Sequence, residues 1–206
     1  MKKLFIVLFS FVCLSSYGQK IVDVFKTMPN TIIPGLSDDN RTIFLINANA
    51  DSTIIPYAFG EIKRLIYSDD YLKIQTSDIG TTQLKIIQTE NNNPIIGVIK
   101  TVCGNACNSQ ISFYTVYWQK INSSELLPKI YAELFFDQSK KGTQDYSKAL
   151  SLFDINFIEA EFDVNSNNLK LKLDYKNYVS QYNINKIKPF ILKESIVLNW
   201  DNSKYK

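Results

Sequence analysis

The spacing of apolar positions changes character along the chain. Ile21, Val24, Phe25 and Met28 recur at helical intervals and Pro29 follows, which predicts a short helix. Ile32-Ile33-Pro34-Gly35 reads as a loop. Ser37 then suits an N-cap, with Asp38 and Asp39 where the free amides of a helix start favour negative charge. A second short helix through Ile43 and Phe44 follows, frayed by Asn47 and Asn49. Two helices ahead of any clear strand predict a lid over one face of a sheet. From Ile62 the period falls to two. Leu72, Ile74 and Thr76 alternate with Lys73 and Gln75, and Leu84 and Ile86 with Gln83 and Lys85, before a turn at Asn91-Asn92-Asn93-Pro94.

Val98 to Tyr114 carries the central prediction. Two strands fold back about Gly104-Asn105-Ala106, with one cysteine at each mouth of the turn. A three-residue loop sets Cys103 opposite Cys107, Thr101 opposite Ser109, Ile99 opposite Ile111 and Gly97 opposite Phe113, all on one face. Phe113 is then placed to cover the bare backbone at Gly97. The other face pairs Lys100 with Gln110 and Ile96 with Tyr114, a mixture that predicts partial cover there too. Ser123-Ser124 and Pro128 end this sheet region.

Asp137 to Asp145 is polar, contains Lys140-Lys141-Gly142, and reads as a mobile loop. Thr143 suits the cap of a short helix that turns Tyr146, Ala149, Leu150 and Phe153 inward. A second hairpin follows. Ile158, Ala160, Phe162 and Val164 alternate with acidic residues, and Leu169, Leu171, Leu173 and Tyr175 alternate with Lys170, Lys172 and Asp174. A four-residue loop, Asn165 to Asn168, pairs Val164 with Leu169, Phe162 with Leu171, Asp163 with Lys170 and Glu161 with Lys172. Only Glu159 against Asp174 dissents. A short helix through Ile184 and Ile187, disturbed by Pro189, and a last strand at Ile196, Leu198 and Trp200 complete the reading. The predicted fold is α+β: an antiparallel β-sheet meander with short N-terminal helices packed on one face, plus a second β-hairpin. Residues 19–206 are read as one domain.

Residues 1–18 are read as a signal peptide. Lys2 and Lys3 precede an apolar run from Leu4 to Leu14, and small residues at Ser16 and Gly18 predict cleavage near Gly18-Gln19. The run is too short for a membrane anchor, and Val12 stands where a lipoprotein signal wants a small residue before Cys13. The expected location is the periplasm or the exterior. Losing Lys2 and Lys3 takes the net charge from +3 to about +1, which offers no pull on nucleic acid or anionic lipid. The mature chain holds no further apolar run long enough to span a bilayer.

Losing Cys13 leaves Cys103 and Cys107. They have three readings: a disulfide, a redox pair, or half of a zinc site. The hairpin mouth favours the first, since opposed Cα atoms about 5.5 Å apart lie within bridging range. The Cys-x-x-x-Cys spacing and the lack of a helix N-terminus weaken the second, and the lack of other ligands weakens the third. The sequence contains no histidine, so Ser-His-Asp and Cys-His nucleophiles and histidine-held metals are excluded. No cofactor is expected. Acid–base work by Asp69-Asp70 or by Glu159 and Glu161 stays open. A turn and a solvated hairpin face explain the same residues. Asp163 to Asp174 imitates a calcium loop but carries Asn168 where glycine makes the sharp turn, and strand-like flanks. Tyr114, Tyr117 and Trp118 leave the central hairpin together as a possible binding surface for a protein or glycan partner, or as the contact of a covering helix.

Asp70-Tyr71-Leu72, the run Thr101 to Ser109, Phe113-Tyr114-Thr115 and Trp118 together resemble a family catalogued as domain of unknown function 3256. Asp23-Val24-Phe25-Lys26 with Met28-Pro29, and Lys188-Pro189-Phe190-Ile191 with Trp200, resemble it as well. The resemblance spans nearly the whole mature chain. It implies a secreted protein of Gram-negative, Bacteroidales-type bacteria, and brings no activity or functional residue. Two function classes remain: a non-catalytic periplasmic or cell-surface binding module held by one disulfide, and a carboxylate-dependent hydrolase of glycan or peptide.

Overall fold

The computed structural model describes residues 19–46, 53–57, 60–153, 155 and 157–206. The expected leader, Cys13, and the fraying residues Asn47 and Asn49 lie outside them. Helices α1 (Ile21–Lys26) and α2 (Asp38–Ile46) come first, with Ser37 capping α2 by accepting the Asn40 N–H at 3.2 Å. An antiparallel meander of seven strands follows: β1 (Ile54–Tyr57), β2 (Gly60–Tyr67), β3 (Tyr71–Ser77), β4 (Gly80–Ile87), β5 (Ile95–Cys103), β6 (Cys107–Thr115) and β7 (Lys120–Ile121). Strand β1 was not anticipated: it is short and carries Pro56, a residue tolerated at the sheet edge it occupies.

The remaining helices are α3 (Ser123–Leu126), α4 (Gln144–Leu150, capped by Thr143) and α5 (Gln181–Ile187). A second sheet has strand order β10-β9-β8, from β8 (Ile158–Phe162), β9 (Leu169–Leu173) and β10 (Ser195–Leu198). Its third strand, returning after α5, turns the expected hairpin into a sheet. The α+β expectation holds.

The two sides of the seven-stranded sheet are covered differently. On one, Leu72, Ile74, Leu84, Ile86, Ile96 and Val98 pack under the N-terminal helices through Ile21, Val24, Phe25 and Phe44. This is the predicted lid. Buried Arg41 closes it, donating to the carbonyls of Lys26 (3.1 Å) and Met28 at the end of α1 and pairing with Asp38. The other side carries the second sheet, α4 and α5. There Gln83 and Lys85 are buried at 2% and 1% exposure, although their alternation with Leu84 and Ile86 is that of a solvated strand face.

The reason is that β8 brings its bare edge to the sheet. Ser109 Oγ accepts the Ala160 N–H (2.9 Å), Gln83 Nε2 donates to the Ala160 carbonyl (3.2 Å), and Gln83 Oε1 accepts the Phe162 N–H (3.0 Å). The Tyr71 hydroxyl donates to the same Gln83 oxygen at 3.1 Å. Lys85 Nζ reaches Asp70 (2.8 Å) and the Val164 carbonyl (3.1 Å). The Ala160 N–H and C=O and the Phe162 N–H, on the open edge of β8, are thus met by side chains, as burial demands.

Three expectations are corrected. Phe162, not Phe113, covers Gly97: a Cβ on Gly97 would stand 2.5 Å from Phe162 Cζ. Phe113 does lie opposite Gly97 in the ladder, but packs instead against Tyr205. The second hairpin is also shifted by two residues, pairing Phe162 with Leu169, Ala160 with Leu171 and Glu159 with Lys172. Asp163 forces this by accepting the N–H groups of Asn165 (2.7 Å) and Ser166 (3.1 Å), which draws it into the turn. A shift of two keeps every side chain on its face and removes the clash of Glu159 with Asp174. The Asp137–Asp145 stretch is anchored: Asp137 caps a 3-10 turn, and Lys140 and Lys141 tie it to the Pro189 carbonyl (2.6 Å) and to Glu133 (2.9 Å).

Candidate functional site

The β5–β6 hairpin has the expected register throughout, from Cys103 opposite Cys107 to Ile95 opposite Thr115. The cysteines form a disulfide, with Cα atoms 4.0 Å apart rather than the wider spacing assumed. Both amides face away from the partner strand, Cys103 N–H to the Ile79 carbonyl and Cys107 N–H to Asp174 Oδ2, each at 2.8 Å. This is a non-hydrogen-bonded pair, the class with the closer approach.

The alternation then dictates the outer side of β6. Cys107, Ser109, Ile111, Phe113 and Thr115 all turn their backbone groups away from β5. Thr115 N–H donates to the Gln119 carbonyl (2.9 Å), and Phe113 pairs with Ile121 of β7. Strand β7 ends there, because Asn122 accepts the Ser124 N–H (3.2 Å) and starts α3. The following strap, Leu127 to Ile130, is held off β6, with the Leu126 carbonyl accepting the Tyr205 N–H at 2.8 Å. Ser109 and Ile111 consequently have outward N–H and C=O groups without a partner among the described residues.

An open groove of about 770 Å³ lies along this gap. Asn108 to Ile111 form one wall, Leu127 to Ile130 the other, with Ile158 and Ala160 of β8 beneath. Its lining is amide, hydroxyl and aliphatic, with Lys129 as its single charged group. Lys129 has no acidic partner among the described residues and lies over the Tyr131 ring at 5.8 Å. At the disulfide end, Asp174 and Glu159 approach Lys172 at 3.9 and 3.1 Å. The hydrogen bond that Lys172 donates to Glu159 raises its ammonium above the usual lysine range, against the effect of burial. Sequence reasoning missed this groove. Its signal was the shortness of β7, which only the Asn122 cap reveals.

Each candidate carboxylate is held by a different lysine. Asp69 pairs with Lys20 (3.8 Å), Asp70 with Lys85, Glu159 with Lys172, and Glu161 with Lys73 (2.5 Å). None lines the groove. Asp163 and Asp174, ends of the calcium-like run, serve a turn and the Cys107 amide, and no set of three potential metal ligands occurs among the described residues. The aromatic trio separates. Tyr114 and Trp118 pack as tilted rings with centroids 5.6 Å apart at the rim of the helix-side core, and Trp118 Nε1 donates to Thr27 Oγ1 (3.3 Å). Tyr117 stands 84% exposed at the tip of a turn in which Trp118 adopts φ 63°, a region costly for an aromatic residue. No helix among the described residues is long and apolar enough to cross a membrane.

No curated protein matches the chain. It is similar in structure to a domain of an uncharacterized protein from Porphyromonas gingivalis W83, with a TM-score of 0.79 at 18% identity, over 90% of this chain and 96% of that one. At that identity the likeness shows a shared fold. A model for proteins of unknown function, DUF3256, matches residues 13–205, and the chain belongs to that family.

Proposed function

We propose that this is an exported, non-catalytic binding module of the periplasm or cell surface, held by one disulfide, with the β6 groove as its main contact. The observation that carries this reading is the composition of the groove: amides, hydroxyls and aliphatic side chains around one ammonium, without a carboxylate. Such a lining suits recognition, and it lacks the pair of carboxylates that the hydrolase reading needs. The carboxylates that a hydrolase would need are each tied to a lysine and lie outside the groove lining. Tyr117, with Tyr114 and Trp118 behind it, supplies a second contact for a glycan or protein at the other end of β6.

Intact mass and N-terminal sequencing of protein from the native envelope test the export half of this reading. A chain beginning at Gln19 with its cysteines joined supports it; free thiols or a chain beginning at Met1 overturn it. Glycan and peptide arrays, read for both retention and cleavage, test the other half. Retention without cleavage is expected. Cleavage that is lost in Glu159→Gln, Glu161→Gln or Asp70→Asn would install the hydrolase instead.

A further inference from the structure

The open segment of β6 points to a specific occupant. We infer that the groove takes an extended polypeptide segment bearing an acidic side chain, which adds to β6 as a strand in line with β7. This rests on the binding-module reading and names its ligand class. Three observations carry it. First, the N–H and C=O groups of Ser109 and Ile111 face the groove without partners among the described residues, at the spacing that a strand backbone satisfies. Second, the window is bracketed: β7 occupies Phe113 above it, and Asp174 occupies the Cys107 amide below. An added strand is therefore registered at both ends and limited to a short stretch. Third, the charge is complementary: Lys129 lines the groove and has no acidic partner among the described residues, so a carboxylate on the guest completes an ion pair there.

The Ser109 hydroxyl is not part of the offer. It is engaged by Thr101 Oγ1 (2.7 Å) and the Ala160 N–H, which fixes β6 in place while its outer backbone stays open. Apolar guest side chains, alternating with the acidic one, meet Ile111, Leu127 and Ile158 in the groove.

The test uses protein recovered from expression of the full chain, with the disulfide formed, and a random nine-residue peptide display library. Selected peptides are resynthesised with N-methyl groups at alternate backbone positions, in both phases, and binding is followed by fluorescence anisotropy. The expected result is an acidic consensus whose affinity falls about tenfold or more when one phase is methylated and little when the other is. Lys129→Glu, a surface change, should weaken that peptide several-fold and shift a fresh selection towards basic residues. Ile111→Pro deletes the outward donor without touching the β5 ladder, and should abolish binding while the disulfide and near-UV spectrum stay native.

Peptides that bind with equal loss in both phases, or unaffected by Lys129→Glu and Ile111→Pro, would overturn strand addition while leaving a binding module at another surface. An empty selection in which the glycan array alone retains a ligand would overturn the peptide assignment and leave the binding module standing. A concentration-dependent dimer lost in Ile111→Pro would replace the peptide by a second copy of this chain.

Discussion

The two sides of the seven-stranded sheet are buried by different means. Under α1 and α2 the sheet is apolar, with Leu72, Ile74, Leu84, Ile86, Ile96 and Val98 in contact with aliphatic and aromatic residues. A helix satisfies its own backbone, so the surface it covers needs only the right shape. Its frayed end is the exception, and there one buried arginine, Arg41, answers the carbonyls of Lys26 and Met28. Under β8 the sheet meets a strand edge, and an edge arrives with unpaired N–H and C=O groups. Gln83, Ser109, Tyr71 and Lys85 are there because a purely apolar face would strand those groups away from water. Period-two alternation is therefore no guide to solvent exposure when the polar face is the one that receives an edge.

Paired substitutions on adjacent residues of β4 put this contrast to the sharpest test. Gln83→Met keeps volume but leaves the Ala160 carbonyl and the Phe162 N–H unpaired, and should lose about 3 kcal/mol in urea unfolding. Leu84→Met, one residue away on the helix side, should lose less than about 1.5 kcal/mol. Equal losses would erase the distinction between the faces.

Gly97→Ala comes next. Its Cβ would meet the Phe162 ring at 2.5 Å and Ile87 Cδ1 at 3.0 Å, and overpacking of this kind removes about 2 kcal/mol. Phe162→Leu in the same chain should recover part of that loss in a double-mutant cycle, whereas Phe113→Leu should not. Replacing Cys103 and Cys107 by serine should cost roughly 2 kcal/mol in the chain-entropy model, because the closed loop is short. The measurement is the urea midpoint of the variant against the oxidised protein.

The mildest effect concerns Tyr71. Burial, and then the charge of Glu161, push its phenol well above the usual tyrosine range. The folded state thus favours the neutral ring: the contribution to stability is complete below about pH 10 and is lost as pH rises towards the folded value. Tyr71→Phe, missing one hydrogen bond to Gln83, should be less stable by about 1 kcal/mol at neutral pH. It should also lose less stability than the parent between neutral pH and the alkaline limit. The measurement is urea unfolding of the parent and of Tyr71→Phe at neutral and alkaline pH, with phenolate absorbance compared between the two proteins.

Local rules read well wherever the partners of a residue are near it in sequence. The register of β5 and β6 follows from the three-residue loop, and the caps at Ser37 and Thr143 from residue type and spacing. The second hairpin was read on the correct faces but two residues out of register. Both registers preserve alternation, and the choice between them lies in the Asp163 carboxylate, a turn detail of a few ångströms. The groove was not read at all. It exists because β7 stops after Ile121 and because a strap, a tail residue and β8, far apart in the chain, frame the gap that is left.

Hydrophobic period, turn chemistry and cysteine placement suffice for an antiparallel meander with a helical lid and a clipped central hairpin, because each is a property of contiguous residues. Which aromatic ring fills the space over Gly97, why Gln83 and Lys85 are buried, and where β6 stays open are settled by segments far apart in the chain coming into contact. Those contacts depend on unpaired backbone groups finding partners across the core, and a one-dimensional pattern of apolar and polar residues does not record where a backbone group is left unpaired.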